Sequence, residues 1–283
     1  MDEAFAVPLD SVCMFLFSGT GMTRYVAGLV KAGLERQHAR CDIIDIDHSL
    51  MPAASFDTYG AIGIAYPVHS FNAPKIVIDF AGRLPRAKGQ KAFIISTAGD
   101  PIGLNSASSS RLINILRGKG YDVYLDRQFV MPSNFIVKDD AEKVGKDLGR
   151  ARDGAPAVAA DILERGAAAA DRSEPAILAE KAGYAARAAA FFGRAEWAGA
   201  RLAGRLFYAD SACVRCGVCA DSCPSGNIAI NQGRVGFGKN CGLCMRCFYI
   251  CPKRSIKARG PLAFIGFDKW YDDSELSMEN LRR

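Results

Sequence analysis

Cys213-Val214-Arg215-Cys216-Gly217-Val218-Cys219-Ala220-Asp221-Ser222-Cys223-Pro224 and Cys241-Gly242-Leu243-Cys244-Met245-Arg246-Cys247-Phe248-Tyr249-Ile250-Cys251-Pro252 are one pattern written twice, C-x2-C-x2-C-x3-C-P. Eight of the ten cysteines of the chain fall in it. A tight loop with a thiolate at every third residue can wrap three corners of an iron–sulfur cube while its backbone N–H groups face the sulfurs. The fourth corner then needs a cysteine from elsewhere. Proline after the last cysteine ends the run, because it lacks a donor and fixes φ.

Zinc also takes four cysteines, but ribbon-type zinc sites use separated C-x2-C pairs rather than three cysteines at intervals of three. A disulfide framework fits an exported chain. Here Met1 to Pro8 is acidic with no long apolar run, so no signal peptide is expected and the reading is cytoplasmic. The doubled pattern resembles that of bacterial two-cluster ferredoxins, where the fourth cysteine of each run serves the other cluster. The resemblance implies Cys213, Cys216, Cys219 and Cys251 for one 4Fe–4S cluster and Cys241, Cys244, Cys247 and Cys223 for the second. Val214, Val218, Ile228 and Ile230 in the first half, and Leu243, Met245, Phe248, Ile250 and Ile256 in the second, would shield the clusters from water.

Working outward, residues 209–259 carry eight Lys/Arg against two acidic residues. Two oxidised clusters with their thiolates bring roughly −4, so the local excess falls to about +2. Nucleic-acid binding therefore has little support, although the formal charge of the whole chain is +6. No stretch approaches the length of a transmembrane helix.

At the other end, Val12 to Phe17 is a short apolar run of the kind a buried parallel strand shows. Ser18-Gly19-Thr20-Gly21-Met22-Thr23 follows at once, then a helical pattern over about 24–37. A strand feeding a Gly/Ser/Thr loop that opens a helix suits a phosphate, since N–H groups and hydroxyls converge at the helix N-terminus. No Lys follows the glycines and no GxGxxG is present, which disfavours a Walker-type NTPase and a dinucleotide fingerprint. Further strands are expected at 41–46, 60–66, 91–96 and 121–129, with helices at about 74–84, 105–119 and after 139. That alternation predicts an α/β fold, a doubly wound parallel five-stranded sheet in the order 2-1-3-4-5.

This half resembles the flavodoxins. Carried over, the resemblance implies an FMN phosphate on Ser18, Thr20, Gly21, Met22 and Thr23. It places the isoalloxazine against Tyr66-Pro67-Val68-His69-Ser70-Phe71-Asn72 and Thr97-Ala98-Gly99-Asp100. Tyr66 or Phe71 could stack on the ring, or anchor the core or loop. His69 is a candidate proton donor and, with Tyr66, a candidate catalytic residue; turn packing explains it as well. Asp100 before Pro101 also reads as turn chemistry, and Cys13 and Cys41 as small buried apolar residues.

Residues 139–208 are Ala-rich and dotted with Arg. A helix is expected to about 170, a break at Arg172 to Pro175, then one helix over 177–208 that buries an apolar face formed by residues 184, 188, 191, 195, 198, 202 and 206. Arg187, Arg194 and Arg201 recur every seven residues, as a solvated stripe or as a docking surface for an acidic redox partner or anionic lipid.

The expected organisation is a flavodoxin-like domain over 1–170, a helical linker over 171–208, a small α+β two-cluster ferredoxin domain over 209–259 and a tail over 260–283. Phe264, Phe267, Trp270 and Tyr271 in the tail are expected to pack on the body. The order as a whole resembles the flavodoxin–ferredoxin fusion proteins of anaerobic bacteria and archaea. The resemblance implies an electron-transfer oxidoreductase with FMN and two 4Fe–4S clusters, working with a redox partner protein or a small-molecule acceptor. A flavin-dependent reductase of a small organic substrate, fed by the clusters, is the alternative. Peripheral membrane contact is compatible with either.

Overall fold

The computed structural model describes residues 9–50, 56–99, 102–133, 139–167, 177–260 and 263. The break expected at Arg172 to Pro175, Asp100 and the tail aromatics lie outside the described residues.

The N-terminal half is a β/α alternation: β1 (Ser11–Leu16), α1 (Met22–Arg36), β2 (Arg40–Asp45), β3 (Ala61–Pro67), α2 (Lys75–Arg83), β4 (Lys91–Ala98), α3 (Ile102–Asn105), α4 (Ser110–Gly118), β5 (Asp122–Val130) and α5 (Ala141–Ala167). The five strands form one parallel sheet in the order β2-β1-β3-β4-β5. That is the flavodoxin-like doubly wound order, with its switch point between β1 and β3. Both faces of the sheet are covered, so β1, β3 and β4 read as nearly unbroken apolar runs. One face packs Val26, Val30 and Leu34 of α1 and Leu148 and Ala159 of α5 on the strands; the other packs Val77 and Phe80 of α2 and Leu112 and Leu116 of α4.

Two local expectations shift. The helix expected from 105 starts at Ser110, because residues 106–109 form turns that follow the short α3. The single helix expected over 177–208 is broken into a 3-10 turn at Leu178–Lys181, α6 (Tyr184–Gly193), α7 (Glu196–Ala203) and a second 3-10 turn at Gly204–Leu206. Gly193 sits at the break, where its missing side chain allows contact with the Ser70 carbonyl; a Cβ there would stand 1.9 Å from that oxygen. The expected buried face is also corrected. Ala186, Ala190 and Ala200 turn inward, while Tyr184, Phe191 and Leu202 are exposed.

The C-terminal unit is small. Strand β6 (Phe207–Ala209) pairs antiparallel with β9 (Ile256–Ala258), and β7 (Ile228–Asn231) with β8 (Arg234–Phe237). Single turns α8 (Val218–Asp221) and α9 (Arg246–Ile250) carry the third cysteine of each run, Cys219 and Cys247. Phe207, Phe248, Met245, Ile228 and Ile256 make its core.

Candidate functional site: a loop cavity against a cysteine cluster

The expected phosphate loop ends β1 and opens α1. Gly21 caps the helix at φ +98°, in the left-handed region that glycine enters without strain. The first helical bond runs from the Tyr25 N–H to the Gly21 carbonyl, 2.9 Å, so the Met22 and Thr23 N–H groups lie ahead of the helical ladder. The Ser18 hydroxyl accepts the Arg24 N–H at 3.2 Å, and the Thr23 and Thr97 hydroxyls bond to each other at 2.8 Å.

At the carboxyl edge of the sheet these loops surround a cavity of about 500 Å³. Of the residues expected there, Ser18, Thr20, Met22, Thr23, Pro67, Val68, His69, Ser70, Phe71, Thr97, Ala98 and Gly99 line it. Gly21, Tyr66 and Asn72 do not. Tyr66 is fully buried in the core, with Ser108 and Ser109 near its phenol and burial raising its pKa, so a stacking or catalytic role in the cavity does not suit it. Asn72 instead donates to the Ala190 carbonyl at 2.7 Å, tying the loop to α6. Phe71, held at φ +65°, remains as an aromatic on the wall.

Several wall residues were not expected in this cavity: Asn105 and Met131 to Ser133 from the sheet edge, Glu196 from α7, and Leu243, Cys244 and Met245 from the second cysteine run. Nothing in a local pattern announces a contact between segments two hundred residues apart. His69 lies with Nδ1 3.8 Å from Glu196 Oε1. Burial pushes the His69 pKa down to about 4, so the imidazole is neutral at ordinary pH. Burial raises the Glu196 carboxyl pKa, and a Ser70 hydrogen bond opposes that. Glu196 Oε2 is buried without a partner. An orphaned acceptor on this wall, beside hydroxyls and helix N–H groups at the other end, fits a flavin mononucleotide with its phosphate at Ser18 to Thr23.

The structure brings thiols of the two runs together. Cys223 lies close enough to Cys241, Cys244 and Cys247 to interact with each electrostatically, and Cys219 does so with Cys213 and Cys251 and also with Cys247. Burial pushes the Cys241 thiol up to about 12 and raises Cys244 and Cys247, so a thiolate there needs a metal in place of the proton. Burial also raises Cys251, but hydrogen bonds from the Ser255 hydroxyl and N–H, both at 3.3 Å, help to hold it below its usual value. Asn227 and Leu243 N–H groups point at the Cys223 and Cys241 sulfurs at 3.2 and 3.4 Å. Left-handed backbone at Arg215, Gly217, Leu243 and Met245 curls the two loops. Among the described residues no three His, Cys, Asp or Glu side chains converge to share one metal ion; in a cubane each thiolate holds a different iron, which sets the sulfurs apart. The donor set thus fits the clusters.

The two units interlock. Arg246 donates to the Ser18 carbonyl, 3.1 Å from Nε, and to the Ser222 carbonyl, 3.3 Å from Nη1. The His48 N–H donates to the Pro224 carbonyl at 2.7 Å. A second cavity of about 660 Å³ lies along the seam, shares His69 and Glu196 with the first, and reaches Cys241.

Residues 205–256 match the 4Fe-4S dicluster domain family. Together with the β2-β1-β3-β4-β5 parallel sheet, this defines a flavodoxin-like unit joined to an iron–sulfur unit, the make-up of flavodoxin–ferredoxin fusion proteins. Among solved structures the chain is similar to rubredoxin oxygen:oxidoreductase from Desulfovibrio gigas, at 15% identity over 58% of this chain and 38% of that one, TM-score 0.37. It is similar to an NAD(P)H:quinone oxidoreductase from Methanothermobacter marburgensis at 16% over 52% and 94%, TM-score 0.40, and to flavodoxin 2 from Bacillus cereus at 15% over 53% and 98%, TM-score 0.39. The fold follows from the strand order rather than from these distant likenesses. Comparison with curated proteins gives no match.

Proposed function

We propose that the protein is an electron relay in which two 4Fe–4S clusters stand in line with FMN. The observation that carries this is Cys244, which is at once a thiol of the second cysteine run and part of the wall of the cavity at the phosphate loop. When bound, the clusters move single electrons and FMN holds one or two, so the pair can convert between one- and two-electron chemistry. Cys241, Cys244, Cys247 and Cys223 would hold the inner cluster. Cys213, Cys216, Cys219 and Cys251 would hold the outer one, where Cys216 and Val214 are exposed and a redox partner protein can approach. Ser18 to Thr23 bind the phosphate in this reading, Phe71 and the loop at 97–99 flank the ring, and Glu196 and neutral His69 orient its polar edge.

A second reading, reduction of a small organic substrate, is favoured by the seam cavity, whose walls include Arg83, Arg111 and Arg201 and which meets the flavin cavity at His69 and Glu196. Anaerobic purification tests the first reading: about eight iron and eight sulfide per chain with released FMN are expected. Zinc in place of iron, or iron without flavin, contradicts it.

A further inference from the structure

The segment that roofs the flavin loop is amphipathic in the wrong sense for a protein that ends at its own surface. In α6 the small side chains Ala186 and Ala190 face inward, packed with Ala107 and Ala182. The large ones stand in solvent: Tyr184 is 89% exposed, Phe191 61% and Phe192 73%, and Leu202 of α7 is 65% exposed. Tyr184, Phe191 and Phe192 occupy positions i, i+7 and i+8 of one helix face. These four are most of the large exposed apolar residues of the described chain.

Arginines accompany them. Arg187, Arg201 and Arg205 are exposed and Arg194 lies over the Phe191 ring at 4.8 Å. Between residues 184 and 209 the only carboxylate is Glu196, turned into the cavity wall. Among the described residues none of the four arginines is paired with a carboxylate.

We propose that the outward face of α6 and α7 docks on an anionic lipid surface, with Tyr184, Phe191, Phe192 and Leu202 entering the headgroup region and the arginines meeting lipid phosphates. Aromatic and aliphatic side chains interleaved with Arg are the composition of helices that lie in a membrane interface. Side chains standing this far clear of the body insert one by one into a soft apolar medium, whereas a protein partner needs a matching hole for each. A second copy of the chain, paired about a two-fold axis, brings the arginines toward one another. No helix among the described residues is long and apolar enough to cross a membrane, so the contact is peripheral. Because Asn72 bonds to Ala190, docking holds the flavin loop close to that surface.

Flotation of the anaerobically purified holoprotein with lipid vesicles tests this. The protein is expected to float with phosphatidylcholine vesicles containing about a third phosphatidylglycerol, and at least about fivefold less with phosphatidylcholine alone. Salt at about 0.5 M should release it. Phe191→Ser with Phe192→Ser should abolish flotation while iron and flavin content stay unchanged, and Arg194→Gln with Arg201→Gln should weaken it about tenfold or more. Protein that stays in solution with the anionic vesicles, or a double Phe variant that floats like the wild type, overturns the proposal. So does a concentration-dependent dimer that the Phe changes dissolve, since the face then belongs to a second copy.

Discussion

The backbone carbonyl of Cys244 lies against Gly19, so that a Cβ on Gly19 would stand 2.0 Å from the oxygen. A residue of the loop after β1 and a residue of the second cysteine run thus touch main chain to main chain. Gly19 has no need of a left-handed φ; its small size is what the contact uses. Gly19→Ala is expected to cost about 1–3 kcal/mol by overpacking a junction that cannot yield without parting the two units. Anaerobic thermal unfolding measures the loss. Iron content near that of the wild type is expected, because the thiols themselves are unchanged.

The proposed crossed pairing of the thiols makes a countable prediction. Cys223→Ser combined with Cys244→Ser removes two ligands of one cluster and should leave about four iron per chain. Cys223→Ser combined with Cys213→Ser strikes both clusters and should leave iron well below that number. Iron analysis of the two double variants decides it, and the reverse result assigns Cys223 to its own run.

His69 is held neutral by burial, and the sign of its contribution to stability follows from its low pKa. The unfolded imidazole takes up a proton below about pH 6.5, the folded one only near pH 4, so the unfolded chain binds more protons between those values. Stability therefore falls as pH drops through that window. Between about pH 7.5 and about pH 5.5 the loss from this group is about 1.4 kcal/mol. Urea unfolding of the wild type and of His69→Gln at the two pH values should differ in slope by that amount.

Thr23 is buried and bonded to Thr97 on the wall of the cavity. Thr23→Val keeps the shape, removes the hydroxyl and leaves Thr97 without this bond. A loss of about 1–2 kcal/mol, roughly tenfold in FMN affinity, is expected from one hydrogen-bonding group. Fluorescence of FMN added to deflavinated protein measures it, with iron content as the control.

The sheet order and the two cysteine runs were legible in the sequence because each is a local pattern: unbroken apolar strands between helices, and thiols at fixed spacing. Most of the cavity wall was legible for the same reason, since the loops after β1, β3 and β4 must meet at one edge of such a sheet. Tyr66 stayed open between ring and core because residue type says nothing about which side of a strand end it faces; the structure turns it into the core. Glu196, Leu243 and Cys244 could not be placed, since their role depends on how two units dock. The apolar spacing at 184–206 was read as a buried face, whereas the alanines between those positions are what pack; the periodicity fixes which residues share a face but not which way it turns.

In the proposed relay, clusters and flavin share one chain and one electron pathway. Anaerobic dithionite titration of the purified protein, followed in the visible spectrum, tests it most directly. About four electrons per chain should be taken up, one for each cluster and two for FMN, with flavin released on later denaturation. Uptake that stops at about two electrons, with no flavin released, would contradict it.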